Sequence, residues 1–238
     1  MIDYMKNFSE KIKIFYDGVD IEENYLNPIV KGYTTNPSLL NGVNYLNYKE
    51  FADNYLKYAD NLPVSFEIFA DDDETMIEQG KIINTWGSNV YVKIPIINSQ
   101  GKSTTNVIQT LNKLNIKVNI TAIYTEEHLK IAFNSLVNKH VPSIISIFAG
   151  RISDVGVNPK QICLKAVYLC KNTEIKILWA STREVYNIFQ AIEYNCDIIT
   201  VPSDILNKLH NIGKDLNVCA IDTVSKFYED GIKSNIKF

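Results

Sequence analysis

The chain has 238 residues, with 24 Lys+Arg against 27 Asp+Glu and a formal net charge of −3. Its 46% apolar and 21% charged content excludes a disordered chain, and the charge balance leaves no basic surplus to neutralise nucleic-acid phosphates. No apolar run approaches the roughly 20 residues that span a bilayer, and the first residues carry no signal-peptide apolar stretch, so a cytoplasmic protein that binds neither nucleic acid nor membrane is expected.

Short β-branched segments alternate with longer segments of helical period. Strands are expected at Ile12–Asp17, Val30–Thr35, Val64–Phe69, Asn89–Pro95, Lys117–Ile123, Ser143–Ala149, Lys176–Ser181 and Asp197–Pro202. Helices are expected near 21–29, 47–60, 73–86, 103–115, 125–139, 158–172, 182–195 and 203–212, with a last one over about 222–233. Thr125 before Glu126-Glu127, and Ser203-Asp204 after Pro202, are helix-start signals. No linker or low-complexity tract divides the chain, so residues 1–238 read as one domain. Eight strands alternating with helices point to a (β/α)8 TIM barrel with an extra C-terminal helix. An open doubly wound sheet is the alternative, but it usually opens on a G-x-G-x-x-G turn that this sequence lacks.

The four cysteines, Cys163, Cys170, Cys196 and Cys219, form no C-x-x-C pair. They read as reduced and structural, and neither a metal nor a cofactor is expected. Asp71-Asp72-Asp73-Glu74 needs no ion, because acidic residues suit a helix start.

Side chains alternate faces along a strand. Val64, Phe66 and Ile68 share one face while Ser65 and Glu67 share the other. Tyr91 and Lys93 oppose Val90, Val92 and Ile94, and Asn119 and Thr121 oppose Val118, Ile120 and Ala122. Asp17 stands in phase with Phe15. In a barrel the helix-facing side of each strand is the apolar one. Asp17, Glu67, Lys93, Asn119 and Thr121 should therefore converge inside, at the C-terminal end where barrel enzymes work.

A lysine inside an apolar strand is costly, since burial disfavours its ammonium form. A neutral amine facing a pocket attacks a ketone to form a Schiff base, and nearby carboxylates supply the proton transfers that this chemistry requires. The plain alternative is a structural Lys93 paired with Glu67 or Asp17. Arg151 and Arg183, at the ends of the sixth and seventh strands, suit a phosphate dianion, or else they are solvated surface charges. Ser181 is expected to open a helix whose amides favour anions.

Five ordered motifs carry a resemblance. Gly32-Tyr33-Thr34-Thr35-Asn36-Pro37-Ser38-Leu39 resembles the transaldolase signature G-[VA]-T-T-N-P-S-[LI], and Val92-Lys93-Ile94-Pro95 resembles the segment around that family's Schiff-base lysine. Asn119-Ile120-Thr121, then Ser146-Ile147-Phe148-Ala149-Gly150-Arg151-Ile152-Ser153-Asp154, then Ala180-Ser181-Thr182-Arg183 are similar to N-[VL]-T, S-P-F-V-G-R-[IL]-x-D and A-S-[IF]-R. The chain length is similar to that of the short bacterial-type subfamily, which includes fructose-6-phosphate aldolases.

The resemblance implies transfer of a dihydroxyacetone unit between sugar phosphates. Lys93 would form the Schiff base, Asp17 would move the C4-hydroxyl proton, and Glu67 and Thr121 would hold a proton-shuttling water. Thr34, Asn36, Asn119 and Phe148 would contact the substrate, and Arg151, Ser181 and Arg183 would hold its phosphate. It also implies a homo-oligomer, a pentamer or decamer, with the C-terminal helix on a neighbour. Glu67 and Phe148 stand where the aldolases tend to have Gln and Tyr, which favours transfer over free cleavage. Three departures stand out. Gly18 follows Asp17 where the family has Thr or Ser. Tyr33 and Trp179, the latter in parity with Ser181, replace smaller residues, and either one would narrow the pocket and change the sugar taken if it faced inward.

Overall fold

The alternation read from the sequence closes on itself. In a computed structural model that describes residues 10–136, 140–234 and 236, eight parallel strands pair in chain order, and the last pairs with the first. They are β1 (Lys13–Asp17), β2 (Val30–Thr34), β3 (Val64–Glu67), β4 (Val90–Pro95), β5 (Val118–Ile123), β6 (Ser143–Ile147), β7 (Ile175–Trp179) and β8 (Ile198–Val201). The helices are α1 (Pro37–Leu40), α2 (Tyr48–Ala59), α3 (Asp73–Asn84), α4 (Thr105–Lys113), α5 (Glu126–Ser135), α6 (Ala149–Asp154), α7 (Lys160–Cys170), α8 (Tyr186–Glu193), α9 (Ser203–Leu206) and α10 (Leu216–Lys233). This is the expected (β/α)8 barrel with a C-terminal helix.

Several helices begin where a short polar side chain caps them. Asn47, Asp72 and Thr125 accept the backbone N–H three residues on, and Asp215 accepts those of Asn217 and Val218. Each satisfies an amide that the first helical turn leaves open. The Asp215 cap starts α10 at Leu216, ahead of the expected 222. The expected helix over 21–29 is instead one 3-10 turn, Ile21–Glu23. Pro28 disfavours helical backbone at Asn27, so the segment cannot continue. The stretch after Ser203 is split in the same way, into α9 and a 3-10 turn at Leu209–Asn211. The helix expected over 125–139 ends at Ser135, and positions 137–139 lie outside the described residues.

The main core lies between barrel and helices. It takes the outward strand residues, such as Val64, Phe66, Val92, Ile94, Val118 and Ile120, together with the apolar stripes of the helices. A smaller cluster of Phe15, Ile144, Leu178, Ala180 and Ile198 fills the interior, with Tyr91 and Phe148 against it. Gly32 is required beside it, because a Cβ there would lie 2.5 Å from the Phe15 ring. The interior cluster forms a floor, and the polar residues stand above it at the C-terminal mouth.

Candidate active site

Strand register sets the polar residues at one level. Asp17 pairs with Thr34 across β1 and β2. Glu67 pairs with Lys93 across β3 and β4, and Lys93 with Asn119 across β4 and β5. The inward side chains of adjacent strands therefore meet. Lys93 is buried, only 7% exposed. Its Nζ lies 3.1 Å from Glu67 Oε2 and donates to the Thr35 carbonyl at 3.0 Å.

A cavity of about 310 Å³ opens over this amine. Asp17, Thr34, Asn36, Glu67, Lys93 and Thr121 line one side, and Phe148, Arg151 and Ser181 line the other. Nine of the eleven residues singled out from the sequence thus line one cavity.

Asp17 accepts a hydrogen bond from the Thr34 hydroxyl at 2.8 Å. Burial raises its pKa above the ordinary 3.8, while the Lys93 charge and the Thr34 bond pull it down. A carboxylate in that balance accepts a proton more readily than a solvated one. The Thr121 hydroxyl is buried with no hydrogen-bond partner among the described residues, so it is free to bind a water or a ligand atom. Asn36 spends its side-chain oxygen on capping α1, accepting from the Leu39 N–H at 3.1 Å.

Two sequence-chosen residues stand apart. Asn119 is fully buried and does not line the cavity. Its amide donates to Ser65 Oγ at 3.0 Å and its oxygen accepts from Ser146 Oγ at 2.7 Å. Arg183 lies outside the lining, with Nε and Nη2 donating to Asp154 Oδ2 at 2.9 and 2.6 Å. The expectation that Ser181 opens a helix fails, since α8 begins only at Tyr186.

The Trp179 expectation also gives way. Ser181 has φ of 65°, a left-handed backbone that breaks strand alternation. Trp179 therefore points to the helices, fully buried against Tyr194 at 6.0 Å between ring centroids, while Leu178 and Ala180 face the cavity. Tyr33 likewise faces outward, edge-on to Tyr55 at 5.8 Å. Neither narrows the pocket. The turn at Ser181 depends on Gly150, where a Cβ would sit 1.6 Å from the Ser181 carbonyl oxygen.

Sequence reasoning missed Ser38, Ala122, Ser146 and Thr200, all of which line the cavity. Alternation with Ile145 and Ile147, and with Ile199 and Val201, would have found Ser146 and Thr200. Ala122 carried no such signal. Its φ of 60° and the shifted register beside it form a bulge that turns Thr121 and Ala122 both to the cavity.

Comparison with known proteins decides the family. The model for Transaldolase/Fructose-6-phosphate aldolase matches residues 14–237. The chain belongs to this family. A "Probable transaldolase" of Methanococcus maripaludis is 31% identical over 206 residues, covering 84% of this chain and 90% of its own. One from Thermoplasma acidophilum is 30% identical over 226 residues, covering 92% and 95%. One from a Thermoanaerobacter species is 29% identical over 234 residues, covering 95% and 100%. Among solved structures, a "putative phosphonomutase" from Burkholderia cenocepacia superposes with a TM-score of 0.56 over 94% of this chain and 98% of its own, at 10% identity. That likeness shows the fold alone. For a transaldolase-family chain, the Gly18 departure has a physical account in this molecule. A Cβ at Gly18 would lie 2.3 Å from the Tyr16 hydroxyl, so the space is taken.

Proposed function

We propose that this chain is a transaldolase that moves a dihydroxyacetone unit from a ketose phosphate, such as sedoheptulose 7-phosphate or fructose 6-phosphate, to an aldose phosphate, such as glyceraldehyde 3-phosphate or erythrose 4-phosphate. The observation that carries it is Lys93 Nζ on the cavity wall, 3.1 Å from Glu67, with Asp17 on the same wall. A buried amine with carboxylates and an unpartnered hydroxyl around it has the parts for carbonyl condensation.

The Lys93 amine attacks the C2 carbonyl to give a carbinolamine, which loses water to the Schiff base. Glu67 and Thr121 hold the water that carries these protons. Asp17 then takes the C4-hydroxyl proton as the C3–C4 bond breaks, and the bond electrons pass to the Schiff-base nitrogen to form an enamine. The aldose leaves. The enamine adds to an acceptor aldehyde, and Asp17 returns its proton to the new alkoxide. Hydrolysis of the imine frees the product and the lysine.

Thr34 and Asn36 orient the sugar hydroxyls, with Asn119 holding Ser146 from below. Arg151 and Ser181 take the phosphate. Arg183 adds charge at the rim, because an exposed pair such as Arg183–Asp154 contributes little and exchanges readily. Phe148 supports transfer over aldolase-type release of free dihydroxyacetone. Release requires protonation of the enamine carbon, and a phenyl ring has no proton to give.

A homo-oligomer, pentameric or decameric by the resemblance, belongs to the same reading. Helix α10 leaves Ile221, Val224, Phe227, Tyr228 and Ile232 exposed, at a spacing that puts them on one face, and such a face suits packing on a second copy. A coupled assay with and without an acceptor aldehyde tests the activity. Product only with acceptor is expected, and dihydroxyacetone released at the same rate without acceptor would reject transfer.

A further inference from the structure

Behind Asp17, on the helix side of the wall, lies a set of hydroxyls that the steps above leave unused. Tyr16 points away from the cavity and is fully buried. Its ring folds over the loop that follows Asp17. A Cβ on Gly18 would lie 2.3 Å from the Tyr16 hydroxyl and 2.4 Å from the ring carbon that bears it. The phenol thus fills the volume of a residue-18 side chain. There it donates to the Asp20 carboxylate and meets Ser203 Oγ at 2.6 Å. A hydroxyl has one proton, so with Tyr16 donating to Asp20 the Ser203 hydroxyl donates to the phenol oxygen at 2.6 Å or to the second Asp20 oxygen at 3.4 Å. Burial first, and the Asp20 bond next, raise the Tyr16 pKa, and the phenol stays a donor.

The same short loop is held from two other directions. Tyr55 donates to the Gly18 carbonyl at 2.8 Å. The Gly18 N–H donates to the Thr34 carbonyl at 3.4 Å, and the Thr34 hydroxyl donates to Asp17. Asp17–Asp20 is therefore tied to α2, to β2 and, through Tyr16, to Ser203 just past β8. The tie to Ser203 runs mainly through the Tyr16 hydroxyl at 2.6 Å, beside a longer direct contact from Ser203 Oγ to Asp20 Oδ2 at 3.4 Å.

We propose that Tyr16 is a positioning residue for Asp17: its phenol, standing in the space of a side chain at position 18 and clamping Asp20 to Ser203, fixes the carboxylate for carbon–carbon bond cleavage and plays no part in Schiff-base formation on Lys93. The inference rests on the transaldolase reading above. Misplacing a reacting group by about 1 Å costs on the order of 100-fold, and loosening one of three ties should cost less.

Tyr16→Phe keeps the ring and removes the hydroxyl. Borohydride trapping of Lys93 with fructose 6-phosphate, counting uncleaved six-carbon and cleaved three-carbon adducts together, should match wild type, while the kcat for transfer falls by roughly 10-fold and KM holds. Gly18→Ser alone drives a side chain into the phenol and should lose transfer. Tyr16→Leu/Gly18→Ser returns a hydroxyl from position 18 and should exceed Tyr16→Leu in kcat. Wild-type kcat in Tyr16→Phe, equal loss of trapping and transfer, or a double variant no better than Tyr16→Leu would each overturn the proposal. A wild-type enzyme that gives no Lys93 adduct would bring down the site reading and this inference together, whereas a normal adduct with unchanged Tyr16→Phe kinetics overturns the inference alone.

Discussion

From β1 to β5 the barrel wall turns Asp17, Thr34, Glu67, Lys93 and Thr121 into the cavity, whereas from β6 to β8 it turns Leu178 and Ala180 with Ser146 and Thr200. The polar groups of the first half sit on paired strand residues, locked by register. In the second half Ser146 and Thr200 sit within β6 and β8, while Arg151 lies on α6 and Ser181 on a left-handed turn past β7. The contrast suits two tasks. Bond-making tolerates little error in position, and strands supply that precision. A phosphate is large, charged and symmetric, and loop residues suffice to hold it.

The first way to break this division is Lys93→Ala. It should cut transfer by at least about 10⁴-fold, as loss of a nucleophile does, with the fold intact by circular dichroism. Substantial residual turnover would move the chemistry away from β4. Next comes Asp17→Asn, which should slow cleavage by about 10²–10⁴-fold and leave Lys93 trapped as the uncleaved six-carbon adduct. It should also change stability with a definite sign. Burial raises the Asp17 pKa above 3.8. A carboxyl whose folded pKa is raised favours the fold while protonated, and that contribution is lost as pH climbs from the unfolded to the folded value. The variant should therefore melt higher than wild type at neutral pH and match it below the ordinary value. Calorimetry across pH checks this, and a lower neutral Tm would contradict it.

The same division explains what was legible in the sequence. Alternation in VSFE, VYVKIP and VNIT assigns faces, so the inward turn of Glu67, Lys93 and Thr121 could be read before any coordinates. The motif around Arg151 marked the far side of the cavity, yet parity misplaced Trp179, because nothing in Ala180-Ser181-Thr182 announces a positive φ. Gly150 was visible, but its cause was not, since it lies in a carbonyl brought close by another strand. Asn27-Pro28 is a helix breaker legible in the sequence, and the segment over 21–29 keeps only one 3-10 turn before it.

Gly150→Ala sharpens the loop side of the comparison. A methyl 1.6 Å from the Ser181 oxygen must push the turn aside. It should destabilise the protein by about 1–3 kcal/mol in urea and raise KM for phosphorylated donors more than it lowers kcat. An unchanged KM would detach the Ser181 turn from phosphate binding. The smallest effect belongs to Tyr33→Phe. The Tyr33 hydroxyl is buried without a partner among the described residues, and removing an unsatisfied polar group should stabilise by up to about 1 kcal/mol with kinetics unaltered. A loss of activity would mean that the outward face of β2 contributes to the site after all.

The central claim concerns one nitrogen. Incubation with fructose 6-phosphate and borohydride, followed by peptide mass mapping, should find a reduced three-carbon adduct on Lys93 and on no other lysine. An unmodified Lys93 in enzyme that still turns over its substrate would contradict the account.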